Sequence, residues 1–588
     1  MGLLQRAVET YECNLDRVGE YSSGQKEPLA PIYHAILKAT IEITIDETGK
    51  FISASRITEG NEKTIAPVTE DSIGRTGTKV YMKPHYLCDK LSYLTAKDNY
   101  FLPQLEEWVN SEYSHPMAAA VYAYVKNGKI LEDLKVLNAG EDDVVRWIVD
   151  GLGDESGPCW RDKKLIEAFI SFLTAKLEDR QHGICFISGK NAVTAKQHPG
   201  GIVPLHVKAK LISANDSSGF TYRGRFIDDV QAATVSYESS QKAHNALRWM
   251  ISNQGAGIFG KRTFLCWNPQ GIVIHNPLSS LMGADAEVKS TPTDYKAQLN
   301  ATLFSLNNKA QLKGTEAAVI AAFDAATTGR LALTYYKEMA VPDFLERLKS
   351  WDEHCCWWNG KFGIQAPSLF GIVRCAFGIQ RNEKGESILK PDDGVSKQQM
   401  QSLLSCRLDG GTFPKNIKQA LVNRASFPQA FDKSVWRKIL YTACSAINIS
   451  EYQKRGEEIM SWELDKPDRS FQFGRLLAAM ERAENDFYYA SQDSKRQANA
   501  IKLMSVFRKR PWTVYEQVNR QLKLAYLPRI KPWQKKRYEK LKDEIVGIIS
   551  TFPEDELNRP LSELYLMGYD MQHRAFFNSN DINDTEEN

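Results

Sequence analysis

Long hydrophobic runs are missing from this sequence. Its longest uncharged apolar stretches, such as Met117 to Val125 and Ala317 to Phe323, fall far short of the roughly 18 to 20 residues a spanning helix needs. No transmembrane helix is expected. The ten cysteines show no paired spacing, so free thiols in a reducing compartment are expected rather than a disulfide framework. Walker, HExxH, GxSxG and CxxC patterns are all absent. The acidic pairs Asp142-Asp143, Asp228-Asp229 and Asp392-Asp393 are chain neighbours, which point apart rather than converge on a metal. The ten histidines are scattered singly. On these grounds no catalytic residue, metal or cofactor is expected. The start, Met1-Gly2-Leu3-Leu4-Gln5-Arg6, lacks the basic and apolar regions of a leader, and Arg6 stands where a myristoylation signal places Ser or Thr. The chain reads as cytoplasmic.

What remains is an ordinary globular composition, 43% hydrophobic and 25% charged over 588 residues, long enough for about three or four domains. Ile41-Glu42-Ile43-Thr44-Ile45-Asp46 alternates with period 2 and Phe51 to Ile57 follows a turn, which predicts a hairpin with one buried face. Leu3, Leu4, Ala7, Val8 and Tyr11 precede it at helical spacing. Further strands are predicted at Gly183 to Ile187, at Thr263 to Trp267, and at Ala318 to Phe323 paired with Leu331 to Tyr336. Helices are predicted at Tyr100 to Tyr113, Lys163 to Glu178, Ser240 to Ile251 and Val341 to Trp351. Gly128 either closes a hairpin or caps a helix from Pro116. From Phe471 onward four or five helices can be drawn, two of them started by Pro511 and Pro532. The fold class is α+β: a mixed α/β region over 1–380, a polar linker over 381–396, a helical connection over 397–459 and a helical bundle over 460–588.

Two local motifs carry little chemistry. Gly255-Ala256-Gly257-Ile258-Phe259-Gly260 matches the dinucleotide fingerprint by letters, but a helix precedes it and a strand follows, the reverse of the order that aims a helix N-terminus at a pyrophosphate. His354-Cys355-Cys356 among Trp351, Trp357 and Trp358 lacks zinc spacing and reads as a buried aromatic and thiol packing element.

The strong signal is charge. Between Lys495 and Lys542 fifteen basic residues face only Glu516 and Glu539, +13 in 48 residues, in a chain whose total is +3. The rest of the chain therefore carries −10. Phe507, Trp512, Tyr515, Tyr526, Trp533 and Tyr538 are interleaved. This mixture suits nucleic acid, with Lys and Arg neutralising phosphates and rings offered to unstacked bases. The competing reading is a bundle whose aromatics are core and whose lysines are merely solvated, although solvated faces usually mix both signs. Two weaker stretches are also basic: Arg75 to Lys97, with Asp89 its single acid, and Gln181 to Asn215, with none. The predicted nucleic-acid contacts are Arg75, Thr76, Thr78, Lys79, Lys83 and Lys90; Lys190 and Lys196; and Arg508, Lys509, Arg510, Lys535, Lys536 and Arg537. Arg75 to Lys83 is the expected groove-entering loop.

Several short motifs occur in a telling order: Arg75-Thr76-Gly77, Lys83-Pro84-His85-Tyr86-Leu87-Cys88-Asp89, Cys185-Phe186-Ile187-Ser188-Gly189-Lys190, Ser239-Ser240-Gln241-Lys242-Ala243-His244-Asn245, Thr328-Gly329-Arg330, Arg424-Ala425-Ser426, Phe473-Gly474-Arg475 and Met567-Gly568-Tyr569. Together they resemble the large subunit of the type I-C CRISPR surveillance complex (Cascade), from the first helix to about Arg574. The resemblance implies a non-enzymatic subunit that reads the protospacer-adjacent motif on double-stranded DNA, helps form the R-loop beside a CRISPR RNA, and recruits a separate helicase-nuclease. The implied partners also include the backbone and handle-binding subunits, and a small subunit translated from an internal start, for which Met460 is well placed. In such complexes protein reads a short motif and base pairing reads the long sequence. Two other classes compete: a nuclease or RNA-processing enzyme whose metal site assembles from distant carboxylates, and a scaffold whose basic bundle touches only protein.

Overall fold

The computed structural model describes residues 1–75, 82–96, 100–204, 208–213, 226–227, 229–253, 257–259, 262–282, 287–309, 316–327, 329–491 and 496–578. The chain forms two compact units, one of Met1–Ile274 with Lys313–Val341 and one of His275–Leu312 with Pro342–Asn588. The class is α+β, strands falling mainly in the first unit and helices dominating the second.

In the first unit, α1 (Leu3–Glu12) leads to β1 (His34–Lys38), β2 (Ile41–Asp46), β3 (Phe51–Arg56) and β4 (Lys63–Pro67). The alternation read from the sequence is what β2 does: Ile41, Ile43 and Ile45 are fully buried while Glu42, Thr44 and Asp46 are half-exposed. Its partners are β3, antiparallel, and β5 (Val145–Asp150), parallel; β6 (Gly157–Pro158) completes the order β3-β2-β5-β6. β1 pairs separately with β4. The helices α2 (Phe101–Val109), α3 (Pro116–Lys126) and α4 (Lys163–Leu177) supply Trp108, Val121 and Phe169 to the same core as those isoleucines. Gly128 follows α3 at φ +69°, so it ends a helix rather than turning a hairpin.

The predicted strand at Gly183 to Ile187 is shorter than its apolar run. β7 (His182–Ile184) stops at Cys185, where the Lys190 carbonyl accepts the Cys185 N–H at 2.9 Å, and the chain returns as β8 (Asn191–Val193). After α5 (Tyr237–Asn253) comes a second sheet in the order β12-β11-β10-β9, all antiparallel, built from β9 (Gly257–Phe259), β10 (Arg262–Trp267), β11 (Ala317–Thr327) and β12 (Arg330–Ala340). The described part of the glycine-rich motif is thus strand β9, with helix before it and strand after it. The predicted hairpin of β11 and β12 is present and longer than its apolar centre.

In the second unit, residues 381–396 form most of an antiparallel hairpin, Ile379–Glu383 with Glu386–Lys390, and the start of the helix Asp393–Asp409, capped by the Asp392 carboxylate. A polar run that reads as a linker is here a hairpin lying on the surface. His354 through Trp357 are buried, as a packing element should be. From residue 469 onward run α6 (Arg469–Ala490), two one-turn helices at Asn499–Lys502 and Met504–Phe507, α7 (Pro511–Gln521), α8 (Pro532–Ile549) and α9 (Leu564–Asn578). Pro511 and Pro532 open their helices, as predicted.

α6 is buried around most of its circumference. It crosses α9 where both helices lack side chains: a Cβ on Gly474 would collide with the Tyr565 carbonyl oxygen, and one on Gly568 with the Phe471 carbonyl oxygen. Beside that crossing Arg475, 1% exposed, donates to Gln472, Gln572 and Glu544 at 2.9–3.0 Å. Two of the sequence motifs are therefore one backbone-to-backbone contact. Gly568→Ala should force the helices apart and cost about 2 kcal/mol, the middle of the overpacking range. Thermal unfolding of the full chain checks this: a variant that melts like the parent would contradict the close crossing.

Candidate nucleic-acid interface

The strap from Arg75 to Lys90 is the first predicted contact. Thr76, Thr78 and Lys79 lie outside the described residues, and the structure reassigns Arg75. Its guanidinium donates to both carboxylate oxygens of Asp89 at 2.7 Å and to the Lys83 carbonyl at 3.2 Å, and lies 3.9 Å from the Tyr93 ring centre. Asp89, 1% exposed, also accepts the His85 and Lys90 N–H groups at 2.7 and 2.8 Å. Burial pushes the His85 imidazole down to about 4, Asp89 opposing that shift, so His85 is neutral at physiological pH. Arg75 is thus a structural tie and not a phosphate holder: the single acid of the stretch takes its charge. Lys83 and Lys90 point outward in surface pairs with Asp71 at 3.4 Å and Asp142 at 2.6 Å. Such exposed pairs are weak, so both cations remain exchangeable.

Lys190 and Lys196 are exposed, and neither side chain has a carboxylate partner among the described residues. The Lys196 N–H donates to Glu70 at 2.8 Å, and Gly74 abuts the Gln197 side chain. The second weak basic stretch therefore runs beside the start of the strap.

The C-terminal cations belong to the second unit. Lys509, Arg510 and Lys536 are exposed with no carboxylate partner among the described residues, and exposed Lys535 has only Glu539 at 4.0 Å. Arg508 and Arg537 differ from them. Arg508 donates to Asn423 at 2.9 Å. Arg537 is paired with Asp486 at 2.6 Å and lies over the Trp533 ring at 5.1 Å; burial lowers its pKa, the Asp486 pair opposing. Lys502, Arg520, Lys523, Arg529, Lys531 and Lys540, omitted from the predicted contacts, are as exposed and as free of carboxylate partners among the described residues. The charge run contained them all.

The aromatics follow the competing reading. Phe507, Tyr515 and Tyr538 are core residues, while Trp512 and Tyr526 pack edge-on or tilted against Phe473, Phe487 and Tyr488. Only Trp533 among the six is largely exposed, at 52%. The basic segment is thus a cationic surface over an aromatic core rather than a ladder of stacking platforms. Neither α7 nor α8 has an acid in its first turn. Arg510 and Lys531 stand at their N-caps, where the helix dipole favours anions over cations.

Among the described residues one group of ligand-type side chains converges: Glu353, His354 and Glu458. Lys296 reaches both Glu458 oxygens at 2.6 and 2.8 Å and Glu353 at 3.4 Å, so an ammonium already balances these two carboxylates.

No curated protein matches the chain. A family model described as "CRISPR-associated protein (Cas_Csd1)" matches residues 8–577, and on that near-complete match the chain belongs to the CRISPR-associated Cas_Csd1 family.

Proposed function

We propose that this protein is the non-catalytic, DNA-binding large subunit of a type I-C CRISPR effector complex, which recognises a protospacer-adjacent motif, promotes the R-loop and recruits a helicase-nuclease. The observation that carries the reading is the exposed cationic surface on α7, α8 and the turns before them, most of whose side chains have no carboxylate partner among the described residues. Uncompensated cations at helix N-termini repel the helix dipole, and a polyanion relieves that repulsion while meeting free N–H groups. Family membership supplies the CRISPR setting. Binding of labelled duplexes with and without the motif by the assembled complex tests recognition, and a divalent-metal-dependent cleavage assay tests the nuclease alternative. Metal-dependent cleavage by purified protein would overturn the non-catalytic assignment. Lys296, seated between the carboxylates of the converging group, supports that assignment.

Met460 is proposed as the start of a separately translated small subunit. It is buried in the short turn Ile459–Ser461, just before α6, with its sulfur 3.6 Å from that of Cys356. Replacing its codon with one for Leu conserves volume and should leave the full chain folded, costing under about 1.5 kcal/mol, while the fragment from residue 460 to 588 disappears from an immunoblot. Persistence of that fragment sinks the internal start.

A further inference from the structure

A cleft of about 690 Å³ opens in the first unit, far along the chain from the basic segment. It is built from the loop after α1, strands β2 and β3 with the loop that follows β3, strand β5, and the turn Cys159–Arg161. Lys26, Arg56, Lys63, Arg146 and Arg161 line it against a single carboxylate, Glu42. Three of these cations are held by acids: Arg146 by Glu42 at 2.7 Å, Arg56 by Asp143 at 2.7 Å and Lys63 by Glu27. Lys26 and Arg161 are exposed and have no carboxylate partner among the described residues.

The arginines are pre-set rather than floppy. The Arg146 guanidinium lies 3.8 Å from the Trp160 ring centre and donates to the Asn61 carbonyl at 2.7 Å, and Arg161 lies 4.8 Å from the Tyr21 ring centre. Stacking of this kind fixes the plane of a guanidinium; Arg146 is buried and spends its edge on Glu42, Asn61 and Thr64, whereas Arg161 turns its edge to solvent. Ser22, Ser23, Ser55 and Thr58 add hydroxyls to the lining. Charge excess with hydroxyl and amide groups fits a phosphodiester strand and does not fit an apolar ligand. The volume lies within the roughly 300 to 1,000 Å³ of ligand pockets, enough for a short run of nucleotides.

We propose that this cleft binds single-stranded nucleic acid, with Lys26 and Arg161 holding phosphates at its mouth and the buried Arg146, paired with Glu42, fixing the Trp160 wall behind them. The ligand class depends on reading the protein as a nucleic-acid-binding subunit; the location is new, in the first unit, whereas the basic helices belong to the second. The strand is either guide RNA or displaced DNA, which share the phosphate chemistry.

The test uses the full chain, short oligo-U and oligo-dT probes carrying a photoreactive base, and two variants: K26A/R161A in the cleft and K509A/K536A on the basic helices. K26A/R161A should lower the slope of log affinity against log salt by about 1.4, at about 0.7 per lost single-strand phosphate contact, and weaken binding on the order of 10-fold at physiological salt. Its melting should stay close to the parent's, because both side chains are exposed, neither has a carboxylate partner among the described residues, and an exposed cation–π contact such as Arg161 on Tyr21 contributes little stability. Crosslinks should map to peptides containing Tyr21 or Trp160, and the probe that crosslinks there identifies RNA or DNA. If the parent binds and K509A/K536A weakens it, but K26A/R161A changes neither slope nor crosslinks, the cleft assignment is wrong while the wider reading stands. Failure of the parent to bind either probe overturns both.

Discussion

Asp89→Ala should unfold the strap and lower the stability of the first unit by about 3 to 5 kcal/mol, the cost of leaving one partner of a buried ion pair alone. The carboxylate is 1% exposed and accepts four hydrogen bonds, two from Arg75 and two from backbone N–H groups of His85 and Lys90. Removing it strands a guanidinium that is only 14% exposed, together with the buried His85 amide and the half-buried Lys90 amide. Arg75→Ala should cost nearly as much, whereas a phosphate-holding arginine would lose DNA affinity and leave stability intact. Chemical denaturation of both single variants and of the double variant checks this. In the double variant the pair is removed together, so its loss should be smaller than the sum of the singles. An additive double variant, or an Arg75→Ala chain of parental stability, returns Arg75 to the list of nucleic-acid contacts.

How much of this was legible in the sequence depends on how far apart the cooperating residues lie. The β2-β3 hairpin was legible because period-2 alternation is local, and α7 and α8 were legible because Pro511 and Pro532 mark their first turns. The roles of Arg75 and Asp89 were not, although both stood in the basic stretch. Charge counting sees a lone acid among cations, and only the fold says that this acid is buried and pointed at one of them. The aromatics of the basic segment misled for a related reason. Phe507 and Tyr538 alternate with lysines in sequence, but helical periodicity sends them to the core face and the lysines to solvent. The cleft was invisible because its cations come from four separated stretches, each unremarkable in net charge. The glycines of α6 and α9 sat in noted motifs, yet their purpose is a contact between residues some 94 positions apart, which no window of sequence displays.

On the basic helices, K509A/R510A/K535A/K536A should reduce duplex DNA affinity on the order of 10²-fold or more near physiological salt. With four phosphate contacts removed, the slope of log affinity against log salt should fall by about 3.6 on duplex and about 2.8 on single strands. These four side chains are exposed and at most weakly paired, so melting should stay at the parental temperature. Arg508 and Arg537 serve as the contrast, because one is bonded to Asn423 and the other to Asp486 beneath Trp533. Their replacement should show in stability before it shows in affinity. Salt titrations over a tenfold range of ionic strength separate the two kinds of residue, because only true phosphate contacts change the slope. A quadruple variant with parental slope and affinity would mean that this surface faces protein. The charge excess of the Lys495 to Lys542 segment would then be a docking surface for an acidic partner subunit, and nucleic-acid binding would have to reside in the first unit.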